Sequence, residues 1–322
     1  MGPPEMAAPG DNAAPWTSRS VGTQAQHHIF YFLIRYGGKR SAYLLLYFVA
    51  LYYVLCRPSI RAKAAPYLSR RFRGRGGVGR LTDSYRMFVT FGKALIDRTA
   101  IGILGENHMK VTFPGRELLL DLLREGRGLL LVTAHVGCWQ AAMASLVSLH
   151  VPVHLLLYRE EGDIDMHYYE HSGTAPPFSI IDPKSPMGGV IEIIRALKCS
   201  EVVCLMGDRP LGSRKGMVAV DFLGDKAFFP FSAFKIASAT GAPVVTLFSE
   251  KSGPDQYKLR MAQVIRVKPD LERADEELLP YVSQFVSALE SYTQDNPYQF
   301  FNFFDMWKND VPMSNDKGGN AR

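Results

Sequence analysis

His135 is the residue best placed to do chemistry. It follows an apolar run, Leu129 to Val132, and precedes Gly137-Cys138-Trp139-Gln140 and a helical stretch of mostly small and apolar residues, Ala141 to Val147. A histidine there stands where a buried strand ends and a helix begins, the edge at which open α/β sheets bind ligands. Its unperturbed pKa suits proton transfer near neutral pH. An isolated histidine is more often satisfied inside a core; the strand-end setting argues for function. Gly137 lets a substrate approach the backbone closely. The N–H groups of Val136 to Cys138 open the next helix and are candidate donors to an oxyanion.

A second block puts Asp208 and Arg209 straight after another buried run, Val202 to Met206. Asp208 can pair with His135, or with Arg209 as a structural turn pair. A third, Leu155-Leu156-Leu157-Tyr158-Arg159, ends on an arginine whose planar fork suits phosphate oxygens. The acids after it, Glu160, Glu161 and Asp163, offer a surface ion pair instead. The last block, Asn296 to Trp307, is dense in phenylalanine and either lines an apolar groove or docks on the sheet; docking is the simpler reading.

The elements that must position these residues alternate from about Lys110 onward. Strands are expected at 111–113, 129–133, 153–158, 202–206, 218–222, 244–248 and 257–267, and helices at 117–125, 139–149, 188–198, 232–240 and 272–293. Alternation of this kind means an α/β layer fold, and its irregular spacing admits a central mixed sheet flanked by helices. A P-loop is absent and no GxGxxG follows a strand, so nucleotide binding has no support. No Gly-x-Ser occurs, which argues against a serine hydrolase with a nucleophile elbow.

The 322 residues carry a net charge of +6, which favours a polyanionic or membrane partner. Cys56, Cys138, Cys199 and Cys204 form no CxxC pair and no zinc spacing, and read as thiols in a reducing compartment; no metal site is expected. Residues 42–56, AYLLLYFVALYYVLC, are uncharged and aromatic-rich, slightly short of the roughly 17–25 residues of a spanning helix. Eight basic residues and no acid follow between Arg57 and Arg80. Such a stretch is drawn to anionic lipid, at about 1 kcal/mol per charge, and places the following domain on the cytoplasmic side. A buried core helix followed by a solvated loop is the competing reading. No nucleic-acid motif accompanies the basic residues. The expected organisation is a disordered N-terminus (1–26), a membrane-anchoring segment with its basic stretch (27–80), one α/β domain (81–310) and a flexible tail (311–322).

Histidine, four residues, then a carboxylate is the signature of glycerolipid-type acyltransferases. The AHVGCW setting of His135 resembles their lipid A late acyltransferase branch. The Gly207-Asp208-Arg209 turn is similar to that family's DQD segment, and Pro297 to Phe300 to its Pro-x-Gln-Tyr segment. The resemblance implies a glycerolipid-acyltransferase-like fold with an N-terminal membrane-associated helix, at the inner (cytoplasmic) membrane of a bacterial cell with its catalytic domain on the cytoplasmic face. It implies transfer of a fatty acyl chain from acyl carrier protein or coenzyme A to a hydroxyl or amine of a lipid acceptor. His135 is then the general base, with Gln140 or Asp208 orienting it, Gly137 admitting substrate and Arg159 or Arg209 binding phosphate. The thioester is the co-substrate; no cofactor, metal or nucleic acid is implied. Gln140 stands where the family carries the carboxylate. It serves as a neutral orienter, or yields that role to Asp208, Glu160 or Glu161, or marks a lipid-binding protein that keeps the fold without catalysis.

Overall fold

A computed structural model describes residues 24–105, 108–157, 178–209, 216–271 and 275–308. Of the N-terminal segment expected to be disordered, 1–26, residues 1–23 lie outside these residues, whereas 24–26 belong to the first helix; the tail at 311–322 lies outside them, as do Arg159, Glu160, Glu161 and Asp163.

Three helices lead the chain: α1 (Gln24–Cys56), α2 (Pro58–Arg71) and α3 (Gly77–Leu104). The basic composition of 57–80 conceals the second of these from periodicity. The basic stretch is therefore not a solvated loop. Arg71 donates to the Thr293 and Gln294 carbonyls at 2.9 and 3.0 Å, Arg73 donates to the Leu223 carbonyl at 2.7 Å, and Arg70 pairs with Asp225 at 2.8 Å. These arginines spend their charge fastening α2 to the domain, and Arg57, Lys63 and Arg80 remain exposed. Ala50, Val54, Tyr67 and Leu68 share one core with the sheet, so the N-terminal segment and the α/β layers are packed together.

The α/β part runs β1 (Lys110–Thr112), α4 (Arg116–Arg124), β2 (Leu129–Thr133), α5 (Trp139–Leu146), β3 (Val153–Leu156), β4 (Ser179–Ile181), α6 (Val190–Lys198), β5 (Val202–Met206), β6 (Met217–Phe222), β7 (Asp225–Pro230), α7 (Ser232–Thr240), β8 (Val244–Gly253), β9 (Gln256–Ile265) and α8 (Asp275–Asp295). Seven strands form one mixed sheet in the order β1-β9-β8-β2-β5-β3-β4; β6 and β7 make a separate hairpin. Among the described residues of the sheet, the β8–β9 pair alone is antiparallel.

Alternation along the strands assigns the two faces. Leu130, Val132, Val203 and Leu205 point to the layer built with α6, α7 and α8. Leu129, Leu131, Val202 and Cys204 point to the layer built with α4 and α5. The chain leaves β2 through α5 toward β3, and leaves β5 toward β8 on the other side. Neighbouring strands with diverging connections make a topological switch point, where α/β folds place their ligands.

One polar cluster ties the leading helices to the sheet edge. The fully buried Asp97 of α3 accepts hydrogen bonds from Tyr43 of α1, from Tyr257 of β9 at 2.6 Å and from Lys251 of β8. Lys39 of α1 adds an ion pair at 3.2 Å and also meets Asp255.

Candidate active site

Strand register assembles the site. β2 and β5 are parallel neighbours, with Thr133 opposite Met206. The Gly207 N–H donates to the Thr133 carbonyl at 2.7 Å, carrying the pairing past the strand ends. His135 lies two residues beyond Thr133 and Asp208 two beyond Met206, so equal offsets bring the two side chains together. His135 Nδ1 stands 2.9 and 3.0 Å from the two oxygens of Asp208. The carboxylate is fully buried, and the histidine side chain is 29% exposed. The face turned from Asp208 carries Nε2.

Burial alone pushes the Asp208 pKa up. The adjacent His135 ring, its hydrogen bond and the Arg209 guanidinium outweigh burial and hold the carboxyl below its ordinary range. An ionised carboxylate at Nδ1 fixes the N–H there and leaves Nε2 as the basic nitrogen. Arg209 packs behind Asp208: Nε is 3.9 Å from its oxygen, Nη2 donates to the Phe301 carbonyl at 2.8 Å, and the guanidinium lies 5.2 Å from the Phe304 ring centre. Its side chain is almost wholly buried, which suits shaping the dyad better than reaching for a phosphate in solvent.

Gln140 is buried on α5, and its amide oxygen faces the Cys138 thiol at 3.5 Å. Burial raises that thiol to about 11, so it is no nucleophile at neutral pH. Of the two expected orienters, the carboxylate of Asp208 is the one seated at Nδ1.

The loop after His135 corrects one expectation. Its N–H groups are already committed: Val136 donates to the Ala134 carbonyl at 2.7 Å, Gly137 to the Gln299 carbonyl at 3.2 Å and Cys138 to the Ser249 hydroxyl at 3.4 Å. They do not form an open oxyanion pocket. Gly137 has a packing role of its own. Its φ is +57°, and a Cβ there would sit 2.2 Å from the Ser249 carbonyl oxygen. The aromatic block of the C-terminus docks here, since Phe301 donates its N–H to the His135 carbonyl at 2.8 Å and Phe300 bridges Val136. Sequence reasoning had no signal for these backbone contacts, which join residues more than 150 positions apart.

Beneath α5 a narrow apolar crevice of about 30 Å³ starts at the same strand ends. Thr133, Met206, Ser249, Leu131, Cys204 and Met143 are among the residues that line it. All the β2 and β5 residues in it share the face that His135 and Asp208 extend. Among the described residues no group of three His, Cys, Asp or Glu is placed to hold a metal ion.

No curated protein matches the chain. The sequence model of one family, described as bacterial lipid A biosynthesis acyltransferase, matches residues 85–309, more than half of the length and inclusive of His135 and Asp208. A strand-end histidine–carboxylate pair above an apolar crevice fits that chemistry, and the extent of the match makes this chain a member of the bacterial lipid A biosynthesis acyltransferase family, an acyltransferase enzyme.

Proposed function

We propose that His135 is the general base of an acyl transfer from an acyl thioester, carried by acyl carrier protein or coenzyme A, to a hydroxyl or amine of a lipid acceptor. His135 Nε2 takes the acceptor proton as the acceptor oxygen or nitrogen attacks the thioester carbonyl. The C–S bond then breaks, and the imidazolium returns the proton to the departing thiolate. Asp208 holds the ring and stabilises the imidazolium; Gln140 is not needed for either task. Positioned general-base catalysis contributes about 10²- to 10⁴-fold. The observation that carries this reading is the fully buried Asp208 carboxylate at 2.9 and 3.0 Å from Nδ1.

The crevice under α5 supports a fatty acyl donor, because it is apolar and is lined by Thr133 and Met206, each two residues before a member of the dyad. At about 30 Å³ it holds roughly one small group as it stands. A long chain enters by moving Met143, whose unbranched side chain adapts readily. Arg159 is assigned to an anionic group of donor or acceptor, and the enzyme works without metal or cofactor. It acts at the cytoplasmic face of the inner membrane.

The test is acyl thioester consumption with both donor types and a panel of lipid acceptors, for wild type, His135→Ala and Asp208→Asn. Transfer by wild type, with about a hundredfold loss or more in each variant, is the expected result. Equal activity in wild type and His135→Ala sinks the base assignment. Lipid binding without turnover in all three replaces it with a non-catalytic reading.

A further inference from the structure

We propose that α1 lies in the plane of an anionic bilayer surface rather than crossing the bilayer. This rests on no catalytic role. By composition α1 passes as a candidate span, apolar over His27–Cys56. From Lys39 to Cys56 it measures about 27 Å at 1.5 Å per residue, close to the thickness of a hydrocarbon core, so length does not decide its orientation. Its packing does.

The helix breaks at Gly38, which has φ 72° and ψ 170°. Both halves then lie along α3. Ile34 is buried in the first half, and Ala42, Leu46, Ala50 and Val54 are buried at intervals of four in the second. Leu46 presses so closely on α3 that a Cβ at Gly92 would meet its Cδ1 at 2.3 Å. A perpendicular α1 would carry α3 into the hydrocarbon with it. That helix bears the buried Asp83 and Asp97, along with Arg98 and Lys93, whose burial in lipid is costly. The Lys39, Asp97 and Lys251 cluster pins α1 to the sheet edge at its kink.

The opposite face of α1 is bare. Nine of the thirteen exposed large hydrophobic residues in the described chain are on it, among them Phe32, Tyr36, Leu44, Phe48, Leu51 and Leu55. Exposed apolar faces of this kind, one on each half of the helix, mark an interaction site. Charge selects the occupant. No acid occurs from Gln24 to Arg80, and exposed Arg35, Arg40 and Arg57 flank the face. Arg57 lies 5.9 Å over the Tyr52 ring, a pairing suited to the headgroup layer. An apolar stripe edged by cations and tyrosines fits anionic phospholipid, with the apolar side chains at the acyl boundary.

The experiment uses the full chain with exposed Cys56 and Cys199 replaced by serine, and single reporters at Leu44→Cys or Leu55→Cys. These positions share the bare face and lie about 17 Å apart along the helix. Fluorescent labels are read for depth with spin-labelled lipid quenchers in phosphatidylglycerol/phosphatidylcholine vesicles, beside pure phosphatidylcholine. The expected result is tighter binding to the anionic vesicles and equal depth of both labels to within about 5 Å. Leu44→Glu/Phe48→Glu should weaken vesicle binding at least tenfold with an unchanged melting temperature. A depth difference approaching 17 Å means a spanning helix and overturns the proposal. So does failure to bind vesicles, or a concentration-dependent dimer in which the labels are protected without lipid. None of these results bears on whether His135 is the base.

Discussion

At the scale of single residues, one carboxylate distinguishes the readings of the site. Asp208 is ionised in a buried place because a histidine and an arginine face it. Replacing it by asparagine keeps the shape and removes the charge. The expected kcat loss is about a hundredfold or more, with KM little changed, since in the proposed mechanism an imidazolium forms only along the reaction path. Steady-state kinetics on both parameters check this. Gln140→Glu, by contrast, supplies the carboxylate that the resemblance implied at this position, yet places it among buried groups beside the Cys138 thiol. No gain in rate is expected, and a stability loss on the order of 1–3 kcal/mol should appear in urea unfolding. A rise in activity would return the orienting role to Gln140. The sequence held both candidates. Spacing along the chain could not choose between them, because the choice depends on β2 and β5 being neighbours in register.

Elements explain the rest of what was legible. β2, β5 and α7 appear at the expected residues, because unbroken apolar runs and a small-residue helix bounded by glycine signal themselves clearly. α2 and α3 were not read as helices; arginines and glycines mask their periodicity. β4 has only three residues, and β7 opens with Asp225 and Lys226, so neither resembles a strand in isolation. The turn at Gly137 yields a sharp prediction: Gly137→Ala combines a positive φ with a clash against the β8 backbone. A loss of several kcal/mol, about 3 or more, and a displaced His135 are expected, read as a lowered melting temperature together with lost activity. A second prediction concerns the end of α4, where Arg266 and Arg127 bond Glu125 and hold its pKa down to about 2. A depressed carboxyl stabilises the fold above its ordinary value near 4.5, and that contribution disappears as pH falls toward 2. Arg266→Ala should therefore narrow the stability difference between pH 6 and pH 2.5, measured by denaturant titration at both.

For the whole molecule, the interior ties matter more than the outline of the layers. Among the described residues, Asp97 is the carboxylate with which the half-buried lysines Lys39 and Lys251 both form ion pairs. Asp97→Ala takes the ion-pair partner from Lys251 and leaves Lys39 with Asp255. A penalty of about 3–5 kcal/mol is expected, with early exposure of the leading helices to protease. Uniform protease resistance in that variant would mean that α1 is held by apolar packing alone.

The contacts between the His135 loop and residues 299–301 also have a consequence in time. A ribosome makes α1 first and the Gln299–Phe301 clamp after every other part of the site. The nascent chain can therefore settle on lipid while its histidine loop still lacks the backbone partners that Gln299 and Phe301 supply. If α1 docks on lipid and His135 is the base, as proposed, the chain can reach the membrane before its site is complete.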